Sequence, residues 1–256
     1  VSLDDHALAR ELAEGAGRLL LEVRARLEDA DLGWSHTMDV GDMTAQRYLA
    51  GRLAEERPGD AVLSEESTDR IDERLSADRV WIIDPLDGTR EFAEFEREDW
   101  AVHVALWDRA ADDLVAGAVA LPARGITLAT DAPPRLRPPR EGRPRIISSR
   151  SRTHRVVHAV ADALDCEVMY LGSAGAKAMA VVLCEADIYV HAGGQYEWDS
   201  AAPVAVARAA GLHTSRIDGS PMRYNKVDVE LPDLVICRSD LAPLVLRAIA
   251  DGRMGR

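Results

Sequence analysis

From Arg145 to Ala250 the chain alternates strand-length apolar runs with helix-length segments, and this alternation limits the folds open to it more than any other feature. Strands are expected at 145–149, 167–171, 187–191 and 233–237, and helices at 153–164, 174–184, 199–210 and 241–250. Each piece has one apolar face that it cannot bury alone, so the order calls for a layered α/β half with helices covering a sheet. The first half reads differently. Leu8, Leu12, Gly15, Leu19, Val23 and Leu27 recur at three- and four-residue spacing, which predicts an amphipathic helix from His6 to about Leu27. A second helix is expected over 44–57, stopped by Pro58-Gly59, followed by a short buried strand at 61–63. Another apolar run, 80–83, leads into a turn, Asp84-Pro85-Leu86-Asp87-Gly88-Thr89. The alternating stretches 101–107 and 114–121 look like antiparallel strands. This half is therefore α+β. Between the halves lies DAPPRLRPPREGRP (131–144), with five prolines and four arginines, too proline-rich for a regular element. Two parts follow: an N-terminal 1–132 and a C-terminal 133–256.

At 256 residues and 47% hydrophobic composition the chain can bury a sizeable core. No run of about 18 apolar residues occurs. The first fifteen residues lack a basic stretch followed by an apolar one, so the expectation is a cytoplasmic protein without a membrane partner. Cys166, Cys184 and Cys237 are odd in number and widely spaced, as core thiols are. Charge is unevenly divided: net −15 over residues 1–130 and +2 over the remainder. Such a surface argues against a nucleic-acid partner. Arg135, Arg137, Arg140, Arg143 and Arg145, interleaved with prolines and without aromatics, read as a solvated connection.

The chemistry-bearing signal is a set of acids at strand ends. Ser64-Glu65-Glu66-Ser67 follows the strand at 61–63, and Asp84 and Asp87 follow the strand at 80–83, so adjacent strands would bring Glu65 near Asp84. Carboxylates gathered there repel one another and lose hydration, which costs on the order of several kcal/mol per ion unless a cation compensates. Oxygen ligands without supporting His or Cys favour Mg²⁺ or Mn²⁺ over Zn²⁺. Gly88 and Thr89 would present backbone N–H groups beside such ions, and those groups bind phosphate oxygens. In the second half, Trp198-Asp199-Ser200 opens a helix with Asp199 or Ser200 as its N-cap.

Three strings, VLSEES (62–67), WIIDPLDGTREF (81–92) and WDSAAPVAVARAAG (198–211), resemble the signature blocks of the inositol monophosphatase superfamily in composition, order and separation. Thr89-Arg90-Glu91-Phe92 is similar to the CysQ-type 3′-phosphoadenosine 5′-phosphate phosphatases, and GSAGAKAMAV (172–181) and HAGGQYEWD (191–199) are similar to their actinobacterial members. The resemblance implies an α/β layered sandwich (αβαβα) and a Mg²⁺-dependent, lithium-sensitive phosphomonoesterase with two or three ions per site. It implies that Glu65, Asp84 and the Leu86 carbonyl hold one ion, and that Asp84, Asp87 and Asp199 hold a second, with a third near Glu65. It pairs Asp42, 23 residues before Glu65, with Thr89 to orient the attacking water. Many relatives carry a Lys-x-Asp loop and Thr-x-Ala-Asp there. This chain has Asp39-Val40-Gly41-Asp42 with no lysine nearby, a departure that bears on the third ion.

For the substrate, the resemblance implies a small phosphorylated molecule. Inositol-hydrolysing members place a Glu seven residues before the helix Asp, and here that position is Ala192. An adenosine bisphosphate needs a cation or donors for its second phosphate; Arg90, Ser173 and Lys177, one of two lysines among 29 arginines, are the candidates beside Asp87, Gly88, Thr89 and Asp199. Inositol monophosphate and fructose 1,6-bisphosphate remain as rival substrates, and a catalytically inactive nucleotide sensor as the rival of another class. Both monomers and homodimers occur among the relatives.

Overall fold

The computed structural model describes residues 3–30, 33–138, 141–151 and 153–254. Val1, Ser2 and Arg140, part of the readings above, lie outside the described residues. The chain begins with two long helices, α1 (Asp5–Ala30) and α2 (Trp34–Glu56), then β1 (Ala61–Ser64), α3 (Ile71–Ser76), β2 (Arg79–Asp87), α4 (Thr89–Ala93), β3 (Ala101–Asp108), β4 (Asp113–Leu121) and β5 (Ile126–Ala129). After the proline-rich connection come β6 (Arg145–Ser149), α5 (Arg155–Leu164), β7 (Glu167–Leu171), α6 (Ala174–Val182), β8 (Ile188–Tyr196), α7 (Glu197–Ala209), β9 (His213–Ser215), β10 (Glu230–Cys237) and α8 (Ala242–Met254). No helix among the described residues is long and apolar enough to cross a membrane.

Two five-stranded mixed sheets result, ordered β1-β2-β3-β4-β5 and β7-β6-β8-β10-β9. Strand alternation sorts their side chains into three cores. Trp81, Ile83, Val102, Val104 and Leu106 face α1 and α2. Val80, Ile82, Ala101 and Ala105 face the opposite way, onto α6 and α7, which are covered in turn by Ile147, Tyr189, Leu234 and Ile236 of the second sheet. The outer face of that sheet, through Ile146, Ile188, Val190 and Val235, packs on α5 and α8. The order α-β-α-β-α is the layered sandwich expected. The described residues of 131–144 form no regular element, and Arg135, Arg137 and Arg143 are exposed there.

Several boundaries differ from the sequence reading for physical reasons. Helix α2 begins ten residues earlier than expected, so Asp39–Asp42 lies on a helix and not in a loop. Its first turns bury only Thr37 and Gly41 and carry no apolar period that would announce them. The Asp84–Asp87 turn is a strand continued through a bulge against β3, with Gly88 beyond it at φ 88°. Helix α7 starts at Glu197, so Asp199 is its third residue and neither it nor Ser200 is the N-cap. Strands β5 and β9, four and three residues long, were missed.

Candidate active site

Strand β1 pairs parallel to β2 with Ser64 opposite Ile83, which sets Glu65, just past the strand, beside Asp84. Asp84 shares a face with Val80 and Ile82, so it points into the middle helical layer, 1% exposed. Its Oδ1 accepts the Leu86 N–H at 3.1 Å. Its Oδ2 has no hydrogen-bond partner among the described residues; His103 Nδ1 stands 4.0 Å from it. From the other half, α7 delivers Asp199, whose Oδ2 accepts the Tyr196 N–H at 2.5 Å. One carboxylate oxygen from each of Asp84, Asp87 and Asp199 lies within 4.8 Å of the others. A buried orphan oxygen facing two other carboxylates is the donor set of a hard divalent cation, and the residues fit one.

Asp87 stands apart because the protein itself satisfies it. Its Oδ2 accepts from the Ser173 hydroxyl and the Gly175 N–H, each at 2.6 Å, and its Oδ1 from the Ala174 N–H at 3.2 Å. These donors are the N-terminus of α6, where Ser173 also N-caps by accepting from the Ala176 N–H at 2.9 Å. Buried His103, opposite Asp84 on β3, places Nε2 3.2 Å from Asp87 Oδ2, and its Nδ1 lies 3.0 Å from the Trp198 carbonyl. Gly175 makes this approach possible, since a Cβ there would meet His103 Nε2 at 2.1 Å. Burial alone would raise the Asp87 pKa, but the His103 contact, the charges of His103 and Lys177, and Ser173 hold it at about 2. The same pairing lifts His103 above the ordinary imidazole value despite its burial.

The other acids move the opposite way. Burial first, then Asp87, Glu65 and Asp199, pushes Asp84 well above the carboxylate range. Asp199 rises to about 6 through burial and Asp87. Glu65, open to solvent on one side at the mouth of the cluster, is raised to about 8 by partial loss of water and by Asp199, Glu66, Asp87 and Asp42. Asp42 reaches α4 from α2: the Thr89 hydroxyl lies 3.4 Å from Asp42 Oδ1 and 3.2 Å from the Leu86 carbonyl, and can donate to either. Burial and Glu66 raise Asp42 to about 7 against the opposing Thr89 bond. The raised values of Asp84, Asp199, Glu65 and Asp42 report first the loss of water on burial and then the neighbouring negative charge.

The remaining candidates divide. Gly88 packs against Ser173 in a left-handed conformation that favours glycine, where a Cβ would stand 2.9 Å from the Ser173 Cβ. Arg90 is exposed. Lys177 is not: it is 3% exposed. Its ammonium donates to the Gly172 carbonyl and, at 2.8 Å, to that of Ser173, and it lies 5.6 Å above the Tyr189 ring. It therefore fixes the 172–173 segment. His103 escaped the sequence reading, although a lone polar residue within the apolar stretch AVHVALW was a usable signal.

The chain belongs to the inositol monophosphatase family, whose model matches residues 4–133 and 140–252. It is 52% identical over 245 residues to the 3′-phosphoadenosine 5′-phosphate phosphatase of Mycobacterium tuberculosis, covering 92% of this chain and 90% of that protein. The crystal structure of CysQ from Bacteroides thetaiotaomicron superposes with a TM-score of 0.76 at 26% identity, covering 91% of this chain and 97% of the other. The inositol monophosphatase II of Staphylococcus aureus shares the fold at TM-score 0.78 and 16% identity, over 99% and 98% of the two chains.

Proposed function

We propose that this protein is a metal-dependent phosphomonoesterase that removes the 3′-phosphate of 3′-phosphoadenosine 5′-phosphate, yielding AMP and inorganic phosphate. The observation that carries the chemistry is the convergence of Asp84, Asp87 and Asp199 within 4.8 Å around a buried oxygen without a hydrogen-bond partner. The substrate rests on the 52% identity to the mycobacterial phosphatase and on Ala192, which leaves no carboxylate for inositol hydroxyls.

In this reading Glu65, Asp84 and the Leu86 carbonyl hold one Mg²⁺, and Asp84, Asp87 and Asp199 hold another; Mn²⁺ suits the same donors, and Glu65 also borders the place for a third ion. When bound, such ions supply positive charge to the phosphoryl and leaving oxygens and acidify the attacking water. The chain's residues do the positioning. Thr89, donating its proton to Asp42 or Leu86, keeps an oxygen lone pair to receive a proton of the attacking water. Asp42, facing the Thr89 hydroxyl, is placed to accept that proton. Gly88 and Thr89 supply backbone donors to the phosphate, and Ser173 sits between this segment and α6. Arg90 serves the second phosphate, while Lys177 acts through the 172–173 backbone that it clamps. Attack by water on phosphorus breaks the bond to the ribose 3′-oxygen, which leaves with the bonding pair and takes up a proton from solvent, while the proton lost by the attacking water passes to Asp42.

Phosphate release from 3′-phosphoadenosine 5′-phosphate, inositol 1-phosphate and fructose 1,6-bisphosphate, with Mg²⁺ and with or without Li⁺, tests the reading. The bisphosphate nucleotide is expected to be preferred and Li⁺ to inhibit. A preference for inositol phosphate of about tenfold or more, or tight nucleotide binding with no phosphate released, would overturn it.

A further inference from the structure

Beside the acid cluster lies a cleft of about 540 Å³ whose walls include Trp34, Arg90, Glu91, Glu94, Arg150 and Gly172. It adjoins the cluster along two chain segments. Arg90 follows Thr89, which faces Asp42, and Gly172 precedes Ser173, which donates to Asp87. Its size is within the range of about 300–1,000 Å³ of small-molecule sites.

Two side chains in this cleft are left largely open to solvent. Trp34, on the first turn of α2, is 49% exposed, whereas Trp81, Trp100 and Trp107 are buried to 5% exposure or less. A large indole left half in water at the wall of a cleft offers a flat apolar face at little entropic cost. Arg90 is exposed, and its guanidinium has no hydrogen-bond or ion-pair partner among the described residues. The neighbouring cation is occupied: Arg150 donates at 2.6 Å to both Glu91 and Glu94. That pairing removes Arg150 from competition for an anion and leaves Arg90 as the group able to take one.

We propose, resting on the bisphosphate nucleotide reading above, that this cleft receives the part of the substrate not being hydrolysed, with adenine stacked on Trp34 and the 5′-phosphate paired with Arg90. Trp34 and Arg90 are then specificity residues that discriminate this substrate from simple phosphate esters. The Glu91–Arg150–Glu94 group forms the wall that keeps a second anion away from any position but Arg90.

The test uses the whole Mg²⁺-loaded protein. Trp34→Ala is expected to lower the ratio of kcat/KM for 3′-phosphoadenosine 5′-phosphate to that for p-nitrophenyl phosphate by roughly 5- to 100-fold, the size of one base–aromatic stack, with most of the loss in KM; Trp34→Phe restores most of it. Arg90→Ala is expected to lower the preference for the bisphosphate over 3′-AMP, which lacks the 5′-phosphate, and Arg90→Lys to recover part of it. AMP is expected to quench tryptophan fluorescence in the parent and not in Trp34→Ala. Ratios equal to the parent's overturn the inference. So does retained quenching in Trp34→Ala, which would put the base on the stacked Tyr196–Trp198 pair instead. A parent that releases phosphate from p-nitrophenyl phosphate but not from the bisphosphate overturns the functional reading, and AMP quenching then decides the cleft separately.

Discussion

Replacing Asp84 by Asn should separate the electrostatic cost of the acid cluster from its use. The substitution keeps the shape and the Oδ1 that accepts the Leu86 N–H. It exchanges the orphan Oδ2 for an amide that can donate to Asp87 or Asp199. Asp87 is held ionised, at about 2, so it repels Asp84 whenever Asp84 is charged. At the 4.8 Å limit between their ligand oxygens and an effective dielectric of about 20, that repulsion is about 3.5 kcal/mol. In EDTA, at a pH high enough to ionise Asp84, Asp84→Asn should therefore stabilise the protein by up to about 3.5 kcal/mol, a rise in Tm of roughly 7–14 °C at about 2–4 °C per kcal/mol. At lower pH, where the raised Asp84 keeps its proton, the gain should shrink towards zero. Magnesium should reverse the ranking: at about 100 times its Kd a bound ion adds about 2.7 kcal/mol to the parent, and the variant should gain far less. Losing several kcal/mol of charge stabilisation should cut turnover on the order of 10³-fold or more. Thermal melts in EDTA and Mg²⁺ across a pH series, with phosphate release, measure all of this. A variant less stable than the parent in EDTA throughout the series, or one within tenfold of parent turnover, would refute the reasoning.

Carboxyls raised in the folded state contribute stability that is fully present below their unfolded values and lost as pH rises through the folded ones. The EDTA-treated protein should therefore lose stability from about pH 4 to 8, between the unfolded values and the folded ones of Asp199 (about 6), Asp42 (about 7) and Glu65 (about 8), with Asp199 alone accounting for about 3 kcal/mol; urea melts across this window should show a smaller slope with Mg²⁺ present. Ion binding should release protons at pH 6.5 and fewer at pH 9, read from calorimetry in buffers of different ionisation enthalpy; equal release at both would contradict the assignment. Thr89→Ala should lower kcat on the order of 10²- to 10⁴-fold with little change in KM, and Thr89→Ser should recover much of it; a KM effect without a kcat effect would place Thr89 in binding alone. Gly175→Ala should destabilise by roughly 1–3 kcal/mol, because its Cβ would meet His103 Nε2 at 2.1 Å, and an unaltered urea midpoint would show that α6 yields there.

The fold and the acids were legible where a residue breaks the pattern around it. Asp84 and Asp87 stand out because they close an apolar strand, and Asp199 because it opens a small-residue helix. Asp42 was found by its spacing in a family resemblance, while its helix was not, because the first turns of α2 bury little. Gly41, which reads as a loop residue, serves close packing: a Cβ there would lie 2.7 Å from the Phe92 ring. Lys177 was misleading for the opposite reason. A lysine among alanines suggests a cation for a ligand, yet its ammonium is used on two carbonyls, a contact between neighbouring turns that composition does not reveal. His103 required strand register, since only the pairing of β2 with β3 places it opposite Asp84.

The cluster's charge count explains why its acids come from separate elements. Asp42 belongs to α2, Glu65 follows β1, Asp84 and Asp87 end β2, and Asp199 belongs to α7. The buried cations closest to the group, His103 and Lys177, are engaged with Asp87 and with the 172–173 carbonyls. Asp87 is thereby a fixed anion satisfied by protein donors, and it can anchor α6 to the end of β2 in any state of the site. Asp84, Asp199, Glu65 and Asp42 are compensated less: His103 Nδ1 stands 4.0 Å from Asp84, Asp199 accepts the Tyr196 N–H and Asp42 faces the Thr89 hydroxyl. They can be neutral with protons or charged with divalent ions, and the raised values of Asp199, Asp42 and Glu65 place that exchange near neutral pH. A protein that had neutralised them with further lysines would fold with less strain and bind the ions less well. The unpaired acids thus weaken the ion-free fold and drive its affinity for the ions at once.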